Sequence, residues 1–104
     1  MRLTGRVQRV TVLVGESDRF GHHPLSTEVL HSAHAAGLAG ASVFHGTSGY
    51  GATGAVHTSH VLSLSDDLPV AIVLVDTAEK VQAFLPQLDV VENGLVLVED
   101  VEAV

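Results

Sequence analysis

Pro69-Val-Ala-Ile-Val-Leu-Val75 is an unbroken apolar run of strand length. A strand without polar alternation is covered on both faces, so this run belongs at the centre of a sheet. Directly after it, Asp76 with Glu79 three residues later resembles a capping box, and Val81, Phe84, Leu85 and Leu88 supply the apolar stripe of a helix. Pro86 removes one helical hydrogen bond, which predicts a kink or a restart there. Asn93-Gly94 makes a turn. Leu95 to Val101 then alternates as a last strand, with Leu95, Leu97 and Glu99 on one face and Val96 and Val98 on the other.

Upstream of the central run the same units appear in reverse balance. Val7 to Val14 reads as a strand closed by Gly15, and Glu16-Ser-Asp-Arg-Phe-Gly-His-His23 as a polar loop. Pro24 suits the first helical position, and Leu25, Val29, Leu30, Ala33 and Ala36 recur at helical spacing until Gly37, with Glu28, His31 and His34 on the polar flank. Ala41 to His45 is a short β-prone run. Gly46 to Gly54 holds four glycines in nine residues, which predicts a long mobile loop, and Val56 to Leu64 suits a strand-like outgoing arm.

The order is therefore β-α-β-β-α-β. This is the α+β, ferredoxin-like split βαβ arrangement, an antiparallel four-stranded sheet with two helices on one face. Val10, Val12, Val14 and the residues opposite them are apolar, so both faces of the first strand are expected to be buried, and packing through the sheet into a homotrimer would cover the second.

Length and composition agree with one packed domain spanning 1–104: 46% of the residues are hydrophobic and 16% charged. A domain this small buries roughly two-thirds of its unfolded surface, so it gains from association. Without cysteine there is no disulfide framework, thiolate metal site or thiol nucleophile. Met1 to Arg9 lacks the apolar run of a signal peptide and no stretch has membrane-span length, so a cytoplasmic location is expected. Formal charge is −7, with four of five basic residues before Phe20 and nine of twelve acids from Asp66 onward, a surface that repels nucleic acid.

Gly49-Tyr-Gly-Ala-Thr-Gly54 spells G-x-G-x-x-G, but Ala55 to Pro69 is β-prone and then Ser/Asp-rich where a dinucleotide site needs a helix. His57 with His60, or His31 with His34, have spacings that could bring two imidazoles to a metal, with no second cluster to complete a site. Gly46-Thr-Ser-Gly-Tyr50 fails the G-x-S-x-G nucleophile pattern and lacks its strand-turn-helix setting, so no catalytic residue is expected. Glu16-Ser17-Asp18-Arg19 sets two carboxylates, a hydroxyl and a guanidinium directly after a strand. That set suits an internal turn network as well as ligand contacts, and Arg19 is the best candidate to meet an anionic group.

Gly15-Glu-Ser-Asp-Arg19, Pro24-Leu25, Ala36-Gly-Leu-Ala-Gly-Ala41, Gly49-Tyr-Gly51, His57-Thr-Ser59, Asp67-Leu-Pro-Val70 and Phe84-Leu-Pro86 together resemble the PII-like family catalogued as domain of unknown function one-ninety, related to the nitrogen-regulatory PII proteins. The resemblance implies a cytoplasmic homotrimer that senses a small ligand, an adenine nucleotide among the candidates, in a cleft between subunits. It also implies signalling to a protein partner, which a membrane protein could be, through the loop 46–60. The ligand-binding residues so implied are Glu16, Ser17, Asp18, Arg19, Gly49, Gly51, His57 and Thr58, with the Val90 to Gly94 turn of a neighbouring subunit closing the cleft. Where PII proteins carry a phosphate-gripping lysine before the last strand, this chain has Asp89-Val-Val-Glu-Asn-Gly94, which argues against the PII scheme of polyphosphate binding. Family members often carry lysine or arginine where this chain has His23, His45 and His60, so the charge there would follow pH. The alternatives are a metal-binding trimer similar to the divalent-ion tolerance proteins and a small-molecule enzyme of ferredoxin-like fold.

Overall fold

Six elements build the fold in the computed structural model, which describes residues 2–51, the backbone of 57–58, and residues 67–104. They are β1 (Gly5–Gly15), α1 (Leu25–Ala35), β2 (Gly40–His45), β3 (Pro69–Asp76), α2 (Ala78–Phe84) and β4 (Leu95–Ala103). The sheet order is β2-β3-β1-β4 and every pairing is antiparallel. The apolar run Pro69–Val75 is thus an inner strand, as its composition requires.

Register converts the alternation of each strand into rows across the sheet. On one face Val43, Ile72, Val12 and Val96 lie side by side, followed by Ala41, Leu74, Val10 and Val98. The helices cover this face, where Leu25, Val29 and Ala33 of α1 and Val81 and Phe84 of α2 join the strands in one core. On the other face the rows are Phe44, Ala71, Leu13, Leu95 and then Ser42, Val73, Thr11, Leu97. Within one subunit that second face is open: Phe44 is 58%, Leu95 52%, Leu97 44% and Leu13 38% exposed. Within the subunit the first strand is buried on one face alone, because both helices lie on the Val10–Val12–Val14 side, and the other face is the one expected to be covered by association.

The helix ends correct two further local readings. Pro24 has φ −59° and ψ 142° and stands outside the helix as its N-cap, so the first helical residue is Leu25. At α2 the N-cap is Thr77, whose hydroxyl accepts from the Lys80 N–H, and not Asp76. Asp76 closes β3, is buried, and accepts from the backbone N–H groups of Ala39 at 2.8 Å and Thr77 at 2.6 Å. Its carboxylate thus ties the entry of β2 to the β3–α2 junction. Pro86 acts as the sequence predicts: α2 stops at Phe84 and a 3₁₀ turn, Leu85–Val90, carries the chain onward with Leu88 buried.

Candidate ligand cleft

Where β1 ends, the chain is pinned by its own polar groups. The Gly15 N–H donates to Asp18 Oδ2 at 2.8 Å and the Asp18 N–H returns to the Gly15 carbonyl at 3.1 Å, a β-turn closed by both the backbone and the Asp18 side chain. Two further bonds fasten this loop to the approach of β3: Glu16 N–H to the Leu68 carbonyl and Ser17 N–H to Asp67 Oδ1, both 2.8 Å. A side chain at position 15 would run into the Asp67 carboxylate, which is why glycine ends the strand. Asp18 also accepts, through its carbonyl, from the first helical N–H of α1, Leu25, at 2.8 Å.

The loop then folds into a two-residue ladder, Arg19–Phe20 against His23–Pro24, reversing at Gly21 with φ +61°. Arg19 Nη2 donates to the His22 carbonyl at 2.7 Å. His23 Nε2 lies 3.0 Å from Glu28 Oε1 on α1, and Ser32 Oγ donates to the other oxygen of Glu28 at 3.3 Å. The rings of Phe20 and His23 are tilted against each other with centroids 5.9 Å apart.

The opposing wall comes from the turn between the 3₁₀ helix and β4. The Leu13–Leu95 register brings Gly94 against β1, where a Cβ would lie 2.7 Å from Val91 Cγ1 and collide with the Leu13 carbonyl. Only glycine permits that approach. Between the two walls lies an open cleft of about 420 Å³, lined by Ser17, Asp18, Arg19, Phe20, Gly21 and Leu25 on one side and Val90, Glu92 and Asn93 on the other. The lining is mostly polar, with a guanidinium, a hydroxyl, a side-chain amide and two carboxylates beside one exposed phenyl ring, and it can hold a flat ring carrying a polar tail.

Of the nominated residues, Ser17, Asp18 and Arg19 line this cleft, while Glu16 stands beside it with Oε2 3.8 Å from His45 Nδ1 at the end of β2. Gly49 packs against Pro69, and Gly51 is exposed with nothing near its Cβ position; neither lines the cleft. The backbones of His57 and Thr58 pair with Gly49 and Ser48. The remainder of the 46–60 loop, with Gly54 and His60, and the rest of the Val56 to Leu64 arm lie outside the described residues. Sequence reasoning missed Phe20, Gly21, Leu25, Glu92 and Asn93 as lining residues; within one chain its own 90–94 turn forms the second wall. The Asn93-Gly94 pair before the last strand is the signal that could have found it.

A second groove, about 330 Å³, runs between α1 and β2 over Leu30, Ala33, Leu38 and Ala41, with exposed His31 and His34 at its rim. Among the described residues no three side chains of metal-ligating type converge. No helix among them is long and apolar enough to cross a membrane.

Comparison with known proteins matches residues 7–103 to the family model DUF190, described as an uncharacterized ACR. A UPF0166 protein of Aquifex aeolicus is 33% identical over 93 residues, covering 89% of each chain. A UPF0166 protein of Methanocaldococcus jannaschii is 33% identical over 91 residues, covering 86% of this chain and 83% of its own. Among solved structures the fold is shared with CPII, a nitrogen regulatory PII-like protein from Thiomonas intermedia K12. Its form bound to ADP and bicarbonate superposes with TM-score 0.65 at 19% identity, over 94% of this chain and 88% of CPII. The apo form gives TM-score 0.62 at 14% identity, over 94% and 91%.

Proposed function

The chain belongs to the DUF190 family, and on that premise we propose that it is a PII-like regulatory protein, not an enzyme, which binds an adenine nucleotide in the cleft between Ser17–Gly21 and Val90–Asn93. The observation that carries the reading is the position of the cleft. It opens at the end of the sheet from which the Ser48–Gly49/His57–Thr58 ladder departs, and Glu16 beside it reaches His45 at the root of that ladder. A ligand that shifts the loop after Gly15 thereby acts, through Glu16 and His45, on the chain leading into the 46–60 segment, which is the output toward a protein partner. CPII, which has this fold, is described with ADP, AMP and bicarbonate bound, and that supports the choice of nucleotide.

The working unit on this reading is a cytoplasmic homotrimer. Its interface is the open sheet face, where Leu13, Phe44, Leu95 and Leu97 sit in adjacent rows. Covering what these four leave exposed contributes roughly 3–6 kcal/mol per subunit before the entropy of association is charged. Calorimetry on the full chain with AMP and ADP tests the ligand site. Arg19→Ala should weaken AMP by about ten- to a hundredfold through loss of a charge-assisted contact. Unchanged affinity in a folded Arg19→Ala protein contradicts this placement of the ligand.

A further inference from the structure

The chain has five Lys and Arg residues, and the fold sends them to opposite ends of the sheet. Arg9 pairs with Glu99 at 3.1 Å and Arg6 with Glu102 at 4.0 Å on the far reach of β1 and β4. Lys80 donates to the Gly37 carbonyl beyond the C-terminus of α1, at the end of the sheet where β3 finishes. Arg2 precedes β1 at that same end. Arg19 alone stands at the cleft, and part of its guanidinium is committed to the His22 carbonyl.

Against this one cation the cleft sets two carboxylates, Asp18 and Glu92. Asp18 is engaged with the Gly15 N–H, whereas Glu92 on the opposite wall is exposed and makes no hydrogen bond or ion pair among the described residues. Of the histidines around this loop, His23 faces Glu28 and His45 faces Glu16, while His22, beside Gly21, makes no ion pair among the described residues and is not a cleft-lining residue. The fixed charge lining the cleft is therefore negative, in a molecule of formal charge −7. At the far end of the sheet Arg6 and Arg9 are opposed by acids, and Arg2 beside them lies at the opposite end of β1 from the cleft.

We infer that the cleft selects against phosphate number, taking a nucleoside or nucleoside monophosphate in preference to the di- and triphosphate, with Glu92 as the specificity-determining residue. The inference rests on the nucleotide reading above and deepens it. Each added phosphate brings about one more negative charge toward Glu92, with one guanidinium in place to receive the chain. Repulsion across an exposed cleft is partly screened, so the penalty is a few-fold per phosphate and shrinks with salt.

Calorimetry on the full chain, in low-salt buffer with chelator and without divalent metal, compares adenosine, AMP, ADP and ATP. Affinity should fall by about three- to tenfold at each step from AMP to ATP, and Glu92→Gln should narrow the ratio between AMP and ATP by a similar factor, with the narrowing lost at high salt. ADP or ATP binding as tightly as AMP overturns the inference but leaves the nucleotide reading standing. So does an unaltered spread in Glu92→Gln. Failure of all four compounds to bind removes the nucleotide reading itself, and the selectivity with it.

Discussion

Removing the Asp76 carboxylate should cost more stability than any other polar substitution in the described part of the chain. The side chain is 3% exposed and accepts two backbone N–H donors, Ala39 at 2.8 Å and Thr77 at 2.6 Å. In Asp76→Ala both donors lose their acceptor, and an unsatisfied buried donor costs about 1–3 kcal/mol, so the sum is roughly 2–5 kcal/mol after local relaxation. Asp76→Asn keeps the shape and one acceptor oxygen but turns an NH₂ toward the other donor, which places it between Ala and wild type. For a domain of about 100 residues each kcal/mol lowers Tm by roughly 4–8 °C. Urea unfolding at one fixed protein concentration reads the order, because mass action would otherwise mix association into the midpoint. Seven strand steps, roughly 23 Å, separate Asp76 from the cleft end of β3 at Pro69, so AMP affinity should be unchanged in the folded variants. Asp76→Ala within about 0.5 kcal/mol of wild type would refute the reasoning, since the two donors would then have found other partners.

Three other outcomes are expected. Leu97→Glu, on the edge strand β4 of the open sheet face, should leave a folded monomer by light scattering where the wild type is a trimer; a monomeric wild type, or a trimeric variant, contradicts the proposed interface. Gly94→Ala should lower stability by about 1–3 kcal/mol in thermal melts, because its Cβ would meet the Leu13 carbonyl and Val91, and an unchanged Tm would show that the turn can move away from β1. Glu16→Gln should speed amide exchange at Gly46 and Gly49 only modestly, since an exposed pair at 3.8 Å contributes about 0–1 kcal/mol; exchange identical to wild type would remove this pair as the link between cleft and ladder.

Strand alternation and helix periodicity are local properties, and they carried the fold. The unbroken run Pro69–Val75 names an inner strand, Leu95–Val101 names a strand, and the stripe Leu25–Val29–Ala33 names a helix together with its buried side. Pro86 likewise acts where it stands. What stayed illegible depends on partners distant in sequence. Asp76 and Thr77 are both competent caps, and the choice falls to Thr77 because Asp76 is claimed by Ala39, 37 residues away. The cleft was half visible: Ser17, Asp18 and Arg19 form a polar cluster in one segment, but Glu92 and Asn93 reach it only through the β1–β4 register. Gly49 and Gly51 were nominated from the resemblance; the ladder sets Gly49 against Pro69, Gly51 is exposed beyond it, and neither lines the cleft of the single chain.

On the reading proposed above, the Ser17–Gly21 loop and the Val90–Asn93 turn together hold an adenine nucleotide. Titrating AMP into isotope-labelled full-length protein and following backbone amide shifts tests it residue by residue. The account predicts saturable shifts concentrated at Ser17, Arg19, Phe20, Glu92 and Asn93, with smaller changes at His45 and Gly46. Shifts confined to the α1–β2 groove, at Leu30, His34 and Ala41, or no saturable shift at either wall of the cleft, would contradict it.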